Sequence, residues 1–483
     1  MSRDYPLASK AGLCGLVLST LLAGCSVGPK YKAPTPALTP FHSSVDASAA
    51  ANASPPPLDR WWTGFKDPML ETVVQRALNN NLDLAAALAR VDQARAAAAG
   101  AGARLLPTAD FGATATAERQ SRAGNLGTIA GGFPTFRRDI HEYALGPAAS
   151  WEIDLAGGLR HGGAAARDEL QAAQAIQAGT RVTVAADAAD AYLQIRGYQT
   201  RLAVAKNQIA TDEHLVQLVR NRYDAGAASK REIAQAEAVL EQARGIVPVL
   251  RLSLEKQLNR LDVLMGAQPG TYARELEAAS EVPSIPAIPG DQQPMDVLRR
   301  RPDIIAAERR LAASNERIGA AISDYYPKIS LSGALGVDSL NSGHLFSSSA
   351  FQAVGVGALR WRLLDFGKIN AEVAQARGAN AEALAVYRQA VLRAAEDVEN
   401  SFSLLSQTEA YQSELEAQVQ ALVQARDLSE QAYRAGSITL TDVLDADRQL
   451  LAAQDELDAS KADAARAAVV VFRALGGGWD APH

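Results

Sequence analysis

The chain repeats itself, and this restricts it to a fold built twice on one plan. Asp83-Leu-Ala-Ala-Ala leads to Leu106-Pro107, and Asp303-Ile-Ile-Ala-Ala leads to Tyr326-Pro327, at an offset of 220 residues. Trp151-Glu-Ile-Asp-Leu-Ala-Gly157 returns as Trp361-Arg-Leu-Leu-Asp-Phe-Gly367, and Tyr223-Asp-Ala-Gly226 as Tyr433-Arg-Ala-Gly436, both at an offset of 210. The offset drops by ten between the proline and tryptophan landmarks, so the first copy carries a longer loop there. Landmarks in one order at so long a period mark a duplicated unit. The copies fall at 61–290 and 291–476, with a short tail over 477–483.

Each copy has one layout. A helical stretch (Leu82 to Leu105; Pro302 to Asp324) stops before Pro107 or Pro327, because proline ends a helix and holds its predecessor extended. The period then switches to two. Ala109, Phe111, Ala113, Ala115 and Ala117 alternate with Thr108, Asp110, Thr114, Thr116 and Glu118. Tyr143, Leu145, Ala149, Trp151, Ile153 and Leu155 alternate with Ser150, Glu152 and Asp154. In the second copy Ile329, Leu331, Leu335 and Val337 alternate with Ser330, Ser332 and Asp338, and Leu359, Trp361 and Leu363 with Arg360 and Arg362. These segments predict two β-hairpins, about 108–155 and 328–364, with strands long enough to cross a bilayer when tilted.

After Gly157 and Gly367 the pattern turns helical and Ala-rich as far as Tyr223 and Tyr433. About 65 residues of helix rise roughly 100 Å. Each helix turns and returns, to about Met265 and Ala474, so the long helices occupy about 158–266 and 367–474. Such helices do not fit a compact globule; they suit a coiled or tubular assembly in which small Ala side chains allow close packing. Ser229-Lys-Arg-Glu232 follows Gly226 and Thr439-Leu-Thr-Asp442 follows Gly436. Both have the capping-box form, which pairs orphan N–H groups at a helix start, and each glycine supplies the positive φ that ends the incoming helix. Asp442 is the weaker variant, expected to be too short to reach back well.

Residues 1–24 read as a signal peptide. Arg3 and Lys10 form a short basic region, Ala11 to Ala23 is mostly apolar, and Leu22-Ala23-Gly24-Cys25 closes the segment. That ending resembles a bacterial lipobox, which implies a covalent lipid on Cys25 and no other cofactor. Ser26, rather than Asp, favours the outer membrane by the same resemblance. Cys14 falls in the removed segment, so no thiol or disulfide would remain in the mature chain. Residues 25–60 are rich in Pro, Ala and Ser and read as a lipidated tether. No other stretch reaches 18 apolar residues, so any bilayer crossing must use strands.

Four strands cannot close a membrane barrel, since the smallest have about eight. An open edge in lipid leaves backbone groups unpaired, so the chain must oligomerise if its strands enter the bilayer. Two copies would give eight strands and a plugged barrel; three would give twelve and room for a lumen.

Several motifs together resemble the lipoprotein outer-membrane factors of tripartite efflux pumps, the TolC-like or NodT family. They are Trp61-Trp62-Thr-Gly-Phe65-Lys-Asp67-Pro68-Met-Leu70, Asn81-Leu-Asp83-Leu, Val91-Asp-Gln-Ala-Arg95, Arg300-Arg301-Pro302-Asp303-Ile304, Ala307-Glu308-Arg309-Arg310-Leu311, and Tyr433-Arg-Ala-Gly436 followed by Val443-Leu444-Asp445. The resemblance implies a mixed α and β fold. Long helical hairpins would form a periplasmic α-barrel, and four strands per chain would form a transmembrane antiparallel β-barrel of twelve per homotrimer. It implies a periplasmic adaptor and an inner-membrane RND-type pump as partners, and a passive channel through the outer membrane. It also places Tyr433, Arg434 and Asp445 at a periplasmic constriction, with Thr441 where some relatives carry an apolar residue. Asp445 has Gln235 as its repeat counterpart, so the repeat geometry does not require it. Ser229, Glu232, Thr439 and Asp442 read as helix-tip caps. Trp151 and Trp361 read either as aromatic anchors at the membrane boundary or as packing at the strand–helix junction.

The remaining chemistry is sparse. A net charge of −6 gives no basic surface for nucleic acid. The six histidines, His42, His141, His161, His214, His344 and His483, form no metal-ligand spacing. Ser253-Leu-Glu-Lys256 matches S-x-x-K without the partner motifs of a serine hydrolase, and no phosphate-binding loop occurs. An enzyme is not expected. A coiled-coil scaffold lipoprotein is the alternative, but it leaves the alternating segments and their matched tryptophans unexplained.

Overall fold

The computed structural model describes residues 26–35, 39–42, 55–278, 280–289 and 294–480. Cys25, the leader segment 1–24, the junction between the copies at 290 and the last residues of the tail lie outside the described residues. A 3-10 segment, Leu58–Phe65, opens the body. Then come α1 (Pro68–Asn80), α2 (Leu82–Ala103), β1 (Thr108–Arg119), α3 (Asn125–Ala130), β2 (Asp139–Ile153), α4 (Gly158–Asp224) and α5 (Lys230–Leu264). The second copy contributes α6 (Pro294–Arg300), α7 (Pro302–Ser323), β3 (Lys328–Ser339), β4 (Phe351–Arg360), α8 (Lys368–Arg434) and α9 (Leu440–Ala474). The repeat extends to helix length, with 67 residues in both α4 and α8 and 35 in both α5 and α9. Among the described residues no helix is long and apolar enough to cross a membrane.

The chain forms two compact units that do not follow the duplication, since each draws on both copies. One comprises Met1–Pro34, Asp92–Gln171 and Glu308–Ala385; the other comprises Thr35–Val91, Ala172–Ala307 and Val386–His483.

The first unit holds an antiparallel sheet of order β1-β2-β3-β4. Its register sorts side chains by chemistry. Phe111 stands opposite Pro147, Leu145 opposite Ala113 and Val337, Trp151 opposite Leu331, Ile329 opposite Leu359, and Val337 opposite Phe351. One face is therefore apolar across all four strands. The other carries Thr108 opposite Ser150, Ser150 opposite Ser332, and Lys328 opposite Arg360, although β4 places Val354 and Val356 there too. The apolar face is open: Phe111 is 70%, Leu335 55%, Phe351 64% and Leu359 65% exposed. Gly146 is needed where β2 meets β3, because a Cβ there would lie 2.1 Å from the Leu335 carbonyl oxygen.

The last strand is shorter than its alternation predicts. β4 ends at Arg360, leaving Trp361 and Leu363 beyond it. The pairing stops at Lys328 opposite Arg360 because the preceding Pro327 has no N–H to extend the ladder. Each tryptophan ties the sheet to the helix before it. Trp151 Nε1 donates to the Leu105 carbonyl and Trp361 Nε1 to the Tyr325 carbonyl, both at 2.9 Å.

The same unit seats the start of the described chain. The Val27 N–H donates to the Ala156 carbonyl at 3.2 Å. His161 Nε2 lies 2.7 Å from Ser26 Oγ and 2.8 Å from the Val27 carbonyl, while Nδ1 meets the Glu316 carboxylate at 2.6 Å. Gly28, at φ +130°, passes so close to Gly319 that a Cβ would fall 2.7 Å from its Cα.

The second unit is held by an aromatic cluster. Trp61 is fully buried and stacks on Phe472 at 5.3 Å between centroids, with Trp62 and Phe65 edge-on to it. Asp67 caps α1 by accepting from the Met69 and Leu70 N–H groups at 2.8 and 3.1 Å, and its other oxygen accepts from the Tyr192 hydroxyl at 2.6 Å. One device is duplicated here with a change of chemistry. Asn81 Nδ2 donates to the Leu264 carbonyl at 3.0 Å in the first copy. In the second, Arg301 donates to the Ala474 carbonyl at 3.1 Å and pairs with Asp303 and Asp397 at 2.7 and 2.8 Å.

Candidate functional site: the paired helix tips

The two long hairpins turn at Gly226 and Gly436, with φ of +73° and +75°, the left-handed conformation glycine adopts without a Cβ penalty. At the first tip the Ser229 N–H donates to Glu232 Oε2 at 2.6 Å, and the Glu232 N–H donates back to Ser229 Oγ at 3.3 Å. The second tip differs from its expectation. Asp442 does reach back, accepting from the Thr439 N–H at 2.9 Å and from its hydroxyl at 2.7 Å. Its own N–H turns to the Thr439 carbonyl at 3.2 Å. The shorter side chain succeeds because the Thr439 hydroxyl donates to the carboxylate and draws it over the cap. Hydrogen bonds hold both carboxyls below the usual carboxylate range, Glu232 chiefly through the Ser229 backbone and Asp442 chiefly through the Thr439 hydroxyl.

Between the tips lies a small apolar core in which Leu215, Val216 and Val219 of α4 and Ala236 and Leu240 of α5 meet Tyr433, Leu440, Val443 and Leu444. Tyr433 is buried, and the Arg222 guanidinium of the first hairpin stacks over its ring at 4.3 Å and donates to its carbonyl. Burial pushes the Tyr433 phenol up, so it stays neutral. Arg222 had no signal in the sequence, because its repeat counterpart is Ala432. Arg434 points elsewhere, pairing with Glu430 one turn back on its own helix. Thr441 and Asp445 are exposed, and Asp445 is not a bare carboxylate: it pairs with Arg448 and accepts from Gln449 Nε2 at 3.3 Å.

Deeper between the hairpins are two carboxyls that the sequence reading did not single out. Asp212 of α4 and Asp447 of α9 are 1% and 2% exposed. One amide group, Gln208 Nε2, donates to both, at 2.8 Å to Asp212 Oδ1 and 2.6 Å to Asp447 Oδ2. Burial first, and Asp447 beside it second, push the Asp212 carboxyl up to about 7.

Comparison with known proteins places this architecture. The family described as outer membrane efflux protein matches residues 73–267 and 294–477, one segment in each copy. The chain is 32% identical over 434 residues to the pyoverdine export outer membrane protein OpmQ of Pseudomonas aeruginosa, covering 89% of this chain and 90% of that protein. It is 28% identical to nodulation protein T of Rhizobium leguminosarum bv. trifolii, covering 96% of each. Among solved structures, the outer-membrane channel OprN superposes with a TM-score of 0.84 at 31% identity, over 94% of this chain and all of that one. The MtrE outer-membrane channel of Neisseria gonorrhoeae gives 0.80 at 25% identity, over 94% and 99%. The long helical hairpins and the four-stranded sheet are those of a TolC-like outer-membrane channel, and the chain belongs to the outer membrane efflux protein family, the outer-membrane channels of tripartite efflux pumps.

Proposed function

We propose that three copies of this chain form the passive exit duct of a tripartite efflux system. The duct would receive small molecules from a periplasmic adaptor and an inner-membrane proton-driven RND-type pump. It would be anchored in the outer membrane by a lipid on Cys25 as well as by its strands. The observation that carries this reading is the sheet, whose apolar face is continuous and exposed while β1 and β4 leave two ladders unpaired. In lipid the face is satisfied but the edges are not, at several kcal/mol for each unpaired group. Pairing β4 of one copy with β1 of the next removes every edge, and three copies supply twelve strands and a polar lumen. Native mass measurement of the full-length protein in mild detergent tests the assembly. It should give three chains; a pore-active species of one or two chains would refute the assembly.

The tips are the constriction in this reading, with Thr441 and Asp445 facing the lumen. Within each chain Arg222 on Tyr433 ties one hairpin to the other at the tips. A desolvated cation–π contact contributes about 1–2 kcal/mol. Arg222→Ala should therefore shift the closed-to-open balance by about five- to thirtyfold. Open probability in planar bilayers reads this directly, and an unchanged value would remove Arg222 from the gate.

A further inference from the structure

We propose that Asp212 and Asp447 form a proton-operated latch between the two helical hairpins, engaged while the carboxyls share a proton and released when it leaves. The geometry begins with burial: a lone buried carboxylate is costly, and two side by side repel each other. Gln208 donates to one oxygen of each, but Asp212 Oδ2 is buried and no protein donor faces it. A proton between the carboxyls supplies the missing donor and joins α4 to α9, which belong to different copies of the repeat.

The other groups around the pair leave this contact in control. From α8 comes Arg426, whose Nε stands 3.5 Å from Asp447 Oδ1, but that guanidinium also pairs with Asp427 and Glu430 at 3.3 and 3.1 Å. α5 contributes Ala236 and Leu240, uncharged, to the packing around Leu215, Val216, Val443 and Leu444. Asp427 of α8 and Asp458 and Lys461 of α9 also line the cleft beside the pair, the last two paired with each other at 3.1 Å, and the charges that act most on Asp212 are Asp447 and Arg426. A solvent-open cleft of about 460 Å³, lined by Gln208, Arg426 and Asp447 among others, gives the proton a path to water. The latch occurs once per chain, because the repeat counterparts of Asp212 and Asp447 are Leu422 and Glu237.

The direction follows from the raised carboxyl. When the hairpins part, the carboxyls hydrate and Asp212 returns towards its ordinary value of 3.8, so parting releases a proton. The latched state is fully favoured at low pH, and that advantage is lost as pH rises through about 7. No redox step or covalent change is involved; the proton passes to solvent.

The inference rests on the channel reading for its consequence but not for its chemistry, so two measurements separate them. In planar bilayers the full-length protein should open more as pH rises between about pH 5 and pH 8. The open-to-closed ratio should change by up to about tenfold per pH unit where one proton is linked. Asp212→Asn, whose amide donates at any pH, should stay latched and lose this dependence, and Asp447→Asn should do the same. Glu414→Gln, at an exposed position of α8 away from the tips, should keep it. A pH-independent wild type, or an Asp212→Asn channel with the wild-type pH midpoint, would overturn the latch. If either variant fails to assemble, infrared titration of the wild type decides: a protonated carboxyl C=O band should disappear as pH rises through neutrality. Its absence would overturn the latch whatever the conductance shows, and its presence in a protein without conductance would count against the channel reading alone.

Discussion

Trp61→Ala is expected to lower the stability of the helical unit by about 3–5 kcal/mol, the range for removing a large aromatic side chain from a core. Trp61 is fully buried, stacks on Phe472 and takes Trp62 and Phe65 against its edge. These rings come from the opening 3-10 segment and from α9, so the cavity would open between those two elements. Gly477 is also close, since a Cβ there would come 2.9 Å from the indole, so the backbone already lies against the ring that the substitution removes. Trp61→Phe should cost much less, because the indole Nε1 is buried without an acceptor and its loss breaks no hydrogen bond. Denaturant unfolding of the detergent-solubilised protein, followed by helical circular dichroism, measures both variants. A loss under about 1 kcal/mol for Trp61→Ala would show that the cluster is not the core it resembles.

Leu335→Arg is the second large effect. Leu335 lies mid-strand in β3 opposite Ala353, on the face shared with Leu331, Val337 and Phe351. If that face meets hydrocarbon, an arginine there costs about 2–4 kcal/mol near the bilayer midplane. Ser332→Arg, three residues earlier on the opposite face, should leave stability nearly unchanged and alter ion flow instead, as lumen substitutions do. Heat-induced loss of the assembled form on electrophoresis distinguishes them. Equal destabilisation by the two variants would contradict the assignment of faces.

Much of this fold was legible because the duplication checked each local reading against a second copy. Pro107 and Pro327 marked the ends of α2 and α7, and the period-two segments that follow became β1 to β4. The matched glycines 226 and 436 placed the tips where the positive φ values fall. The misreadings came where a partner from elsewhere in the chain decided the outcome. Alternation through Trp361 and Leu363 looked like continuing strand, but β4 stops where Pro327 leaves it no donor. Asp442 reads as the weaker cap, too short to reach back well, yet it accepts from both the Thr439 N–H and the Thr439 hydroxyl.

The site was less legible than the fold. Family resemblance led to Tyr433, yet its partner Arg222 lies 211 residues away and breaks the repeat symmetry. Asp212 and Asp447 sit 235 residues apart as ordinary polar positions of long helices, and only tertiary packing shows that they share one buried space. His161 and Glu316 were silent for the same reason, since their purpose becomes visible only when Ser26 and Val27 are docked against them.

The central claim is that this chain is a pore, and electrical recording from the purified full-length protein in planar lipid bilayers tests it most directly. The account predicts discrete conductance steps from a trimeric species, larger and more frequent in Arg222→Ala. Correctly folded, membrane-inserted protein that passes no current in either the wild type or that variant would contradict it.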